Sequence, residues 1–132
     1  VLFRSISDGD APFISVTMSA CLDDDELPHY QDAIYSCPGY GTKNQLVDYT
    51  LVTEYLITAQ ALLDFVTRAL LRPEVQKADK RRKIAMVSPA ALSFGMTRVF
   101  LAHAEKMPAN YNVFRTRVEA LAWLESDSAE TI

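Results

Sequence analysis

Glycine is scarce in this chain, with four among 132 residues. That leaves little material for a phosphate cradle, and neither a G-x-x-x-x-G-K-[ST] run nor a G-x-S-x-G elbow occurs. Cysteine is limited to Cys21 and Cys37. A predicted helix between them would hold them ~20 Å apart, which excludes a disulfide and sets the expectation of two free thiols in a reducing cytoplasm. Histidine is limited to His29 and His103, which share no ligand-like spacing with the cysteines, and H-E-x-x-H is absent. No metal and no cofactor are therefore expected. No apolar run approaches the ~18 residues of a membrane span, and the opening residues lack a signal-peptide pattern. Excess positive charge is also missing. A net charge of −4 gives no general attraction to nucleic acid or to anionic membranes.

What is present suits one ordinary globular domain: 49% hydrophobic and 23% charged residues. The domain is expected to occupy residues 1–126, with 127–132 as a small polar, frayed tail. Val1, Leu2, Phe3 and Ile6, then Asp8-Gly9-Asp10, then Phe13, Ile14, Val16 and Met18 predict an antiparallel hairpin. A helix follows from Asp24 to about Cys37, its acidic start Asp23–Glu26 complementing the helix dipole and its end set by Pro38-Gly39. The same acidic run lacks the D-x-D-x-D-G spacing of a calcium loop. Gln45 to Val52 predicts a third strand. Thr58 is the expected N-cap of a second helix that Pro73 closes.

The stretch from Lys83 to Met107 is the clearest unit. Ile84 to Val87 form a continuous apolar run, the mark of a strand covered on both faces. Ser88 is the expected cap of the next helix, and Pro89 its first residue. Gly95 is expected to allow close packing of that helix on the sheet, and Phe94, Met96, Val99, Phe100 and Met107 to enter the core. Tyr111 to Phe114 form a last strand. Thr116 and Glu119 have capping-box spacing before a closing helix. The order ββαβαβαβα implies an α/β fold with a mostly parallel five-stranded sheet and right-handed crossovers, its first strand antiparallel at the edge.

Candidate functional residues are few. Asp48 is expected near the carboxyl end of a central strand, where ligands of open α/β sheets gather, or as a cap for a neighbouring N–H. Arg98 could reach an anion or Asp48, and Ser88 lies at the strand-to-helix corner. Lys77, Lys80, Arg81, Arg82 and Lys83 form the only dense basic cluster. They read as a solvated loop guarding the next strand from aggregation, or as a docking patch for an acidic partner.

The run AMVSPAALSFGMTRVFLAHAE followed by YNVFRTRVEALAWL resembles small bacterial proteins described as STAS/SEC14-like, of SpoIIAA-like fold. Leu92, Phe94, Gly95 and Arg98 carry the first motif. Val113, Phe114, Arg115, Glu119, Ala120, Leu121, Trp123 and Leu124 carry the second. Tyr30-Gln31 and Leu46-Val47-Asp48 with Val52 extend the likeness upstream. The resemblance implies a non-catalytic regulatory domain with an unidentified protein partner. Its alternative implication is a carrier of a small apolar or amphipathic ligand, with Phe65, Phe94, Met96 and Phe100 available to line a pocket. The corner before the second helix reads Tyr55-Leu56-Ile57-Thr58 rather than Asp-Ser-Ser-Gly, so only Thr58 could stand in for a phosphorylated serine. An enzyme, built on Asp48, Arg98 and the threonines at the strand ends, is the least expected reading. The N-terminal hairpin could leave a sheet edge open to a homodimer.

Overall fold

The computed structural model describes residues 3–7, by their backbone, and residues 12–126. The Asp8-Gly9-Asp10 turn and the tail 127–132 lie outside the described residues. Among the described residues five strands form one sheet in sequence order. Strand β1 (Phe3–Ser7) pairs antiparallel with β2 (Phe13–Asp23). Strands β3 (Asn44–Leu56), β4 (Lys83–Val87) and β5 (Asn110–Phe114) continue from β2 in parallel. The hairpin pairing, the parallel sheet and the antiparallel edge strand are those the sequence predicts.

Helices α1 (Glu26–Tyr35), α2 (Ala59–Leu70) and α4 (Ala91–His103) all pack on one face of the sheet. A short helix α3 (Pro73–Gln76) follows α2, and one 3-10 turn (Ala104–Lys106) follows α4. Helix α5 (Arg117–Glu125) covers the other face, where Ala120 and Leu124 meet Leu46, Ala85 and Val87. Because the strands advance in one direction and their three connections share one face, all crossovers have the same hand. The residues of β4 alternate between the two cores, and all five are buried. That explains its unbroken apolar reading.

Several local expectations are corrected. Helix α4 starts at Ala91 with Ala90 as its N-cap, not at Pro89. Ser88 remains part of the strand end: its N–H donates to the Phe114 carbonyl at 2.8 Å, and its hydroxyl donates to Ser93 Oγ at 2.5 Å. The sheet ladder therefore claims Ser88 before the helix can. The acidic run does not cap α1 through side chains. Asp23 accepts from the Asp25 N–H at 3.1 Å. Asp24 instead accepts from both the N–H and the hydroxyl of Thr58, each at 2.8 Å, tying the start of α2 to the end of β2. Thr58 caps α2 as predicted, accepting from the Ala61 N–H at 3.2 Å. Thr116 likewise accepts from the Glu119 N–H at 3.2 Å.

Strand β3 continues to Leu56, beyond the expected Val52, because it keeps pairing with β2 as far as Asp23↔Leu56. Two register shifts interrupt that ribbon, one between Thr17 and Ser19 and one between Ala20 and Cys21. Ala20 has φ 59°, a left-handed conformation that a bulge imposes on a non-glycine residue.

The basic cluster splits. Arg82 is 2% exposed and Lys83 5% exposed. Arg82 donates to the Tyr40 carbonyl at 3.1 Å and lies 4.8 Å from the Tyr40 ring. The Lys83 ammonium donates to the Trp123 carbonyl at 2.9 Å and to the Ser126 carbonyl and hydroxyl. It thereby neutralises the carbonyl-rich end of α5. Only Lys77, Lys80 and Arg81 stay exposed, and Arg81 pairs with Asp79 at 3.1 Å. The cluster is mostly a structural anchor.

Gly95 is exposed, and a Cβ built there meets nothing within 4 Å. It is not a packing glycine. Gly95→Ala should stabilise the domain by about 0.5–1 kcal/mol, because alanine restricts the unfolded chain and suits a helix interior. Chemical denaturation would show the midpoint moving up; a fall would place an unseen contact at this position.

Candidate functional site

Between the sheet and helices α1, α2 and α4 lies a partly open cavity of about 60 Å³. Its floor is Met18 on β2, Gln45, Val47 and Tyr49 on β3, and Ile84 and Met86 on β4. The period-two alternation of a strand puts Gln45, Val47 and Tyr49 on one face. Leu27, Tyr30 and Ile34 recur at helical spacing on α1 and form one wall. Leu62 and Phe65 of α2 and Thr97 and Phe100 of α4 form the others.

All six tyrosines of the chain line this cavity: Tyr30, Tyr35, Tyr40, Tyr49, Tyr55 and Tyr111. Their rings join the phenylalanines in a connected set. Tyr30 stacks on Phe65 with centroids 6.1 Å apart, and Phe65 meets Phe100 edge-on at 5.7 Å. Phe100 then meets Tyr111 edge-on at 5.4 Å. These are the offset and edge-to-face geometries that aromatic quadrupoles favour. Tyr35 and Tyr40 form a further pair at 5.1 Å, each faced by an arginine 4.8 Å away, Arg72 and Arg82 respectively. Neither arginine lines the cavity.

Burial pushes the Tyr35 and Tyr49 phenols up to about 12. Burial also raises Tyr30, Tyr40, Tyr55 and Tyr111 above the ordinary phenol value. The phenols are therefore neutral at physiological pH, and no charged residue lines the cavity among the described residues.

The polar groups of the wall differ sharply in how they are used. Thr97 donates its hydroxyl to the Ser93 carbonyl at 2.7 Å. Gln31, behind the wall, donates to the Phe65 carbonyl at 2.9 Å and to the Tyr35 hydroxyl at 3.1 Å, and accepts from Arg68 at 2.7 Å. Gln45 is 2% exposed, yet its Nε2 has no hydrogen-bond partner among the described residues. A buried amide donor left unpaired costs about 1–3 kcal/mol, so such groups are rare unless something else satisfies them.

The residues singled out from sequence do not assemble into one site. Asp48 accepts from the Thr50 N–H at 2.9 Å and from its hydroxyl at 2.5 Å, the capping alternative expected for it. It also pairs with Arg117 at 3.2 Å, a residue the sequence reading passed over. Arg98 lies exposed on α4, on the opposite side of the sheet from that pair, and so does not reach Asp48. Thr58 is engaged with Asp24, and Ser88 is buried with Ser93. Of the four residues named for a pocket, Phe65 and Phe100 line the cavity. Phe94 and Met96 do not; Phe94 instead carries the Arg115 guanidinium 5.0 Å from its ring. The tyrosines and Gln45 were missed. Tyrosine recurring on several elements was a signal for the aromatic lining, whereas nothing in the sequence marked Gln45.

The fold and cavity together define an α/β protein of SpoIIAA-like fold with an apolar, tyrosine-rich hollow on its helix-covered face. A solved structure with this fold is an uncharacterized protein from the DUF3478 family of Shewanella loihica PV-4. It is 18% identical, aligns over 91% of this chain and 90% of its own, and has a TM-score of 0.54. Neither a protein-family model nor a curated protein matches the sequence. Among the described residues no helix is long and apolar enough to cross a membrane.

Proposed function

We propose that this chain is a non-catalytic binding domain whose working site is the tyrosine-lined cavity, and that its cargo is a small apolar or amphipathic molecule. Gln45 lines this largely apolar, aromatic hollow with a buried and unpaired Nε2, and that carries the reading: the unpaired donor is costly to the empty protein and useful to a filled one. The volume sets the scale. An engineered apolar cavity of ~150 Å³ holds benzene, and a water occupies ~30 Å³ of liquid. About 60 Å³ therefore encloses only a small group, with any remainder of the ligand in the mouth. We also propose a cytoplasmic setting, on the ground that neither Cys21 nor Cys37 is in a disulfide.

Regulation through a protein partner or a second copy is the other reading, and a different feature favours it. Strand β4 pairs with β3 only from Gln45 to Asp48, so among the described residues the segment 50–56 has β2 on one side and no strand on the other. Leu51 and Leu56 on that segment are 59% and 51% exposed. Such an edge suits strand addition.

Native mass spectrometry of the gently purified protein separates the two. The carrier reading predicts a neutral organic mass that leaves on denaturation. A dimer or a protein complex with no small mass would favour the edge instead and count against the cavity.

A further inference from the structure

Building on the cavity reading, we infer that the ligand is a compact uncharged molecule with one hydrogen-bond-accepting oxygen, held by the Gln45 amide. The lining offers no charge among the described residues, so an ionised group would lose its hydration without a counter-charge. Carboxylates and phosphates are thereby disfavoured, and an ammonium group, although aromatic faces attract it, would leave the Gln45 donor without an acceptor. Purely hydrocarbon ligands would fit the rings but leave Gln45 Nε2 as unsatisfied as it is in the empty cavity.

Gln45 is well placed to select. Its backbone lies in the ladder between β2 and β4, opposite Ile14 and Ile84, so its Cα position is fixed on both sides. Its side chain shares a face with Val47 and Tyr49 and is almost fully buried. An amide NH₂ is a donor, so its natural complement is a carbonyl, ether or hydroxyl oxygen. The aromatic walls supply the apolar body's surroundings. This is the arrangement in which a few polar groups fix orientation, Gln45 being the one with an unpaired donor, while the rest of the pocket supplies burial.

Four methionines give an internal readout: Met18, Met86 and Met107 line the cavity, and Met96 does not. The test titrates methyl-¹³C-methionine protein with cyclopentanone and with methylenecyclopentane, which match in shape and differ in C=O against C=CH₂. The inference predicts that both shift the three lining methyls and spare Met96, with cyclopentanone binding about tenfold more tightly, the worth of one buried hydrogen bond. In Gln45→Met the two ligands should bind equally, with methylenecyclopentane close to its wild-type affinity. Equal affinities in the wild type would overturn this inference and leave the cavity reading standing. No shift of any lining methyl with either compound would overturn both. The wild-type ratio decides the matter even if Gln45→Met does not fold.

Discussion

Raising the pH through about 10 to 12 should unfold this domain in one cooperative step, with tyrosinate absorbance and loss of secondary structure rising together. A phenol that burial keeps neutral binds its proton more tightly when folded than when unfolded. Its contribution is intact below the unfolded value near 10 and is lost as the pH climbs toward the folded value. For Tyr35 and Tyr49, the displacement from 10.0 to about 12 corresponds to roughly 5 kcal/mol between them. The other four tyrosines shift in the same direction for the same cause. A domain of this size has only about 5–15 kcal/mol in total, so the folded state should not survive the titration. Stepwise ionisation near pH 10 with the fold retained would mean that the rings are solvated and the hollow is not what it is described to be.

Phe100→Ala should be the most damaging single substitution in the wall. Phe100 is buried and sits edge-on between Phe65 and Tyr111, so truncation removes two aromatic contacts and leaves new empty space beside an existing cavity. The expected cost is about 3–5 kcal/mol, a drop in melting temperature of roughly 10–25 °C. Val99, one residue earlier, was expected in the core from sequence but is 39% exposed. Val99→Ala should cost less than about 1 kcal/mol. Calorimetry on the pair checks the geometry of α4 directly. Comparable losses from the two substitutions would mean that the helix is rotated relative to this description.

The strand-helix order was legible because it depends on patterns that the core enforces. The apolar run Ile84–Val87 is too short for an ordinary helix and reads as a strand covered on both sides, and the caps Thr58 and Thr116 lie where local chemistry puts them. The failures have a common physical origin: tertiary partners competing for a locally available group. Ser88 has the chemistry of a cap, but the Phe114 carbonyl and Ser93 take it. Asp24 has the charge for its own helix, but it clamps Thr58, 34 residues away. Arg82 and Lys83 look like surface charge because sequence does not show Tyr40 or the end of α5 nearby.

The cavity was harder still. Its tyrosines come from α1, the segment after it, β3 and β5, and nothing in the linear order brings Tyr30 and Tyr111 together. Gln45 begins what reads as an ordinary strand. Only the register that places it beside Val47 and Tyr49, facing the helices, makes its free amide meaningful.

The most direct test of the central claim is a crystal structure of the ligand-free protein under xenon pressure. Xenon needs no hydrogen bond and reports only accessible apolar space. A xenon atom is expected among Phe100, Tyr30 and Met86, displaced when cyclopentanone is soaked in with its oxygen toward Gln45. A wall closed over that volume, with no xenon there and the Gln45 amide bonded to protein, would contradict it.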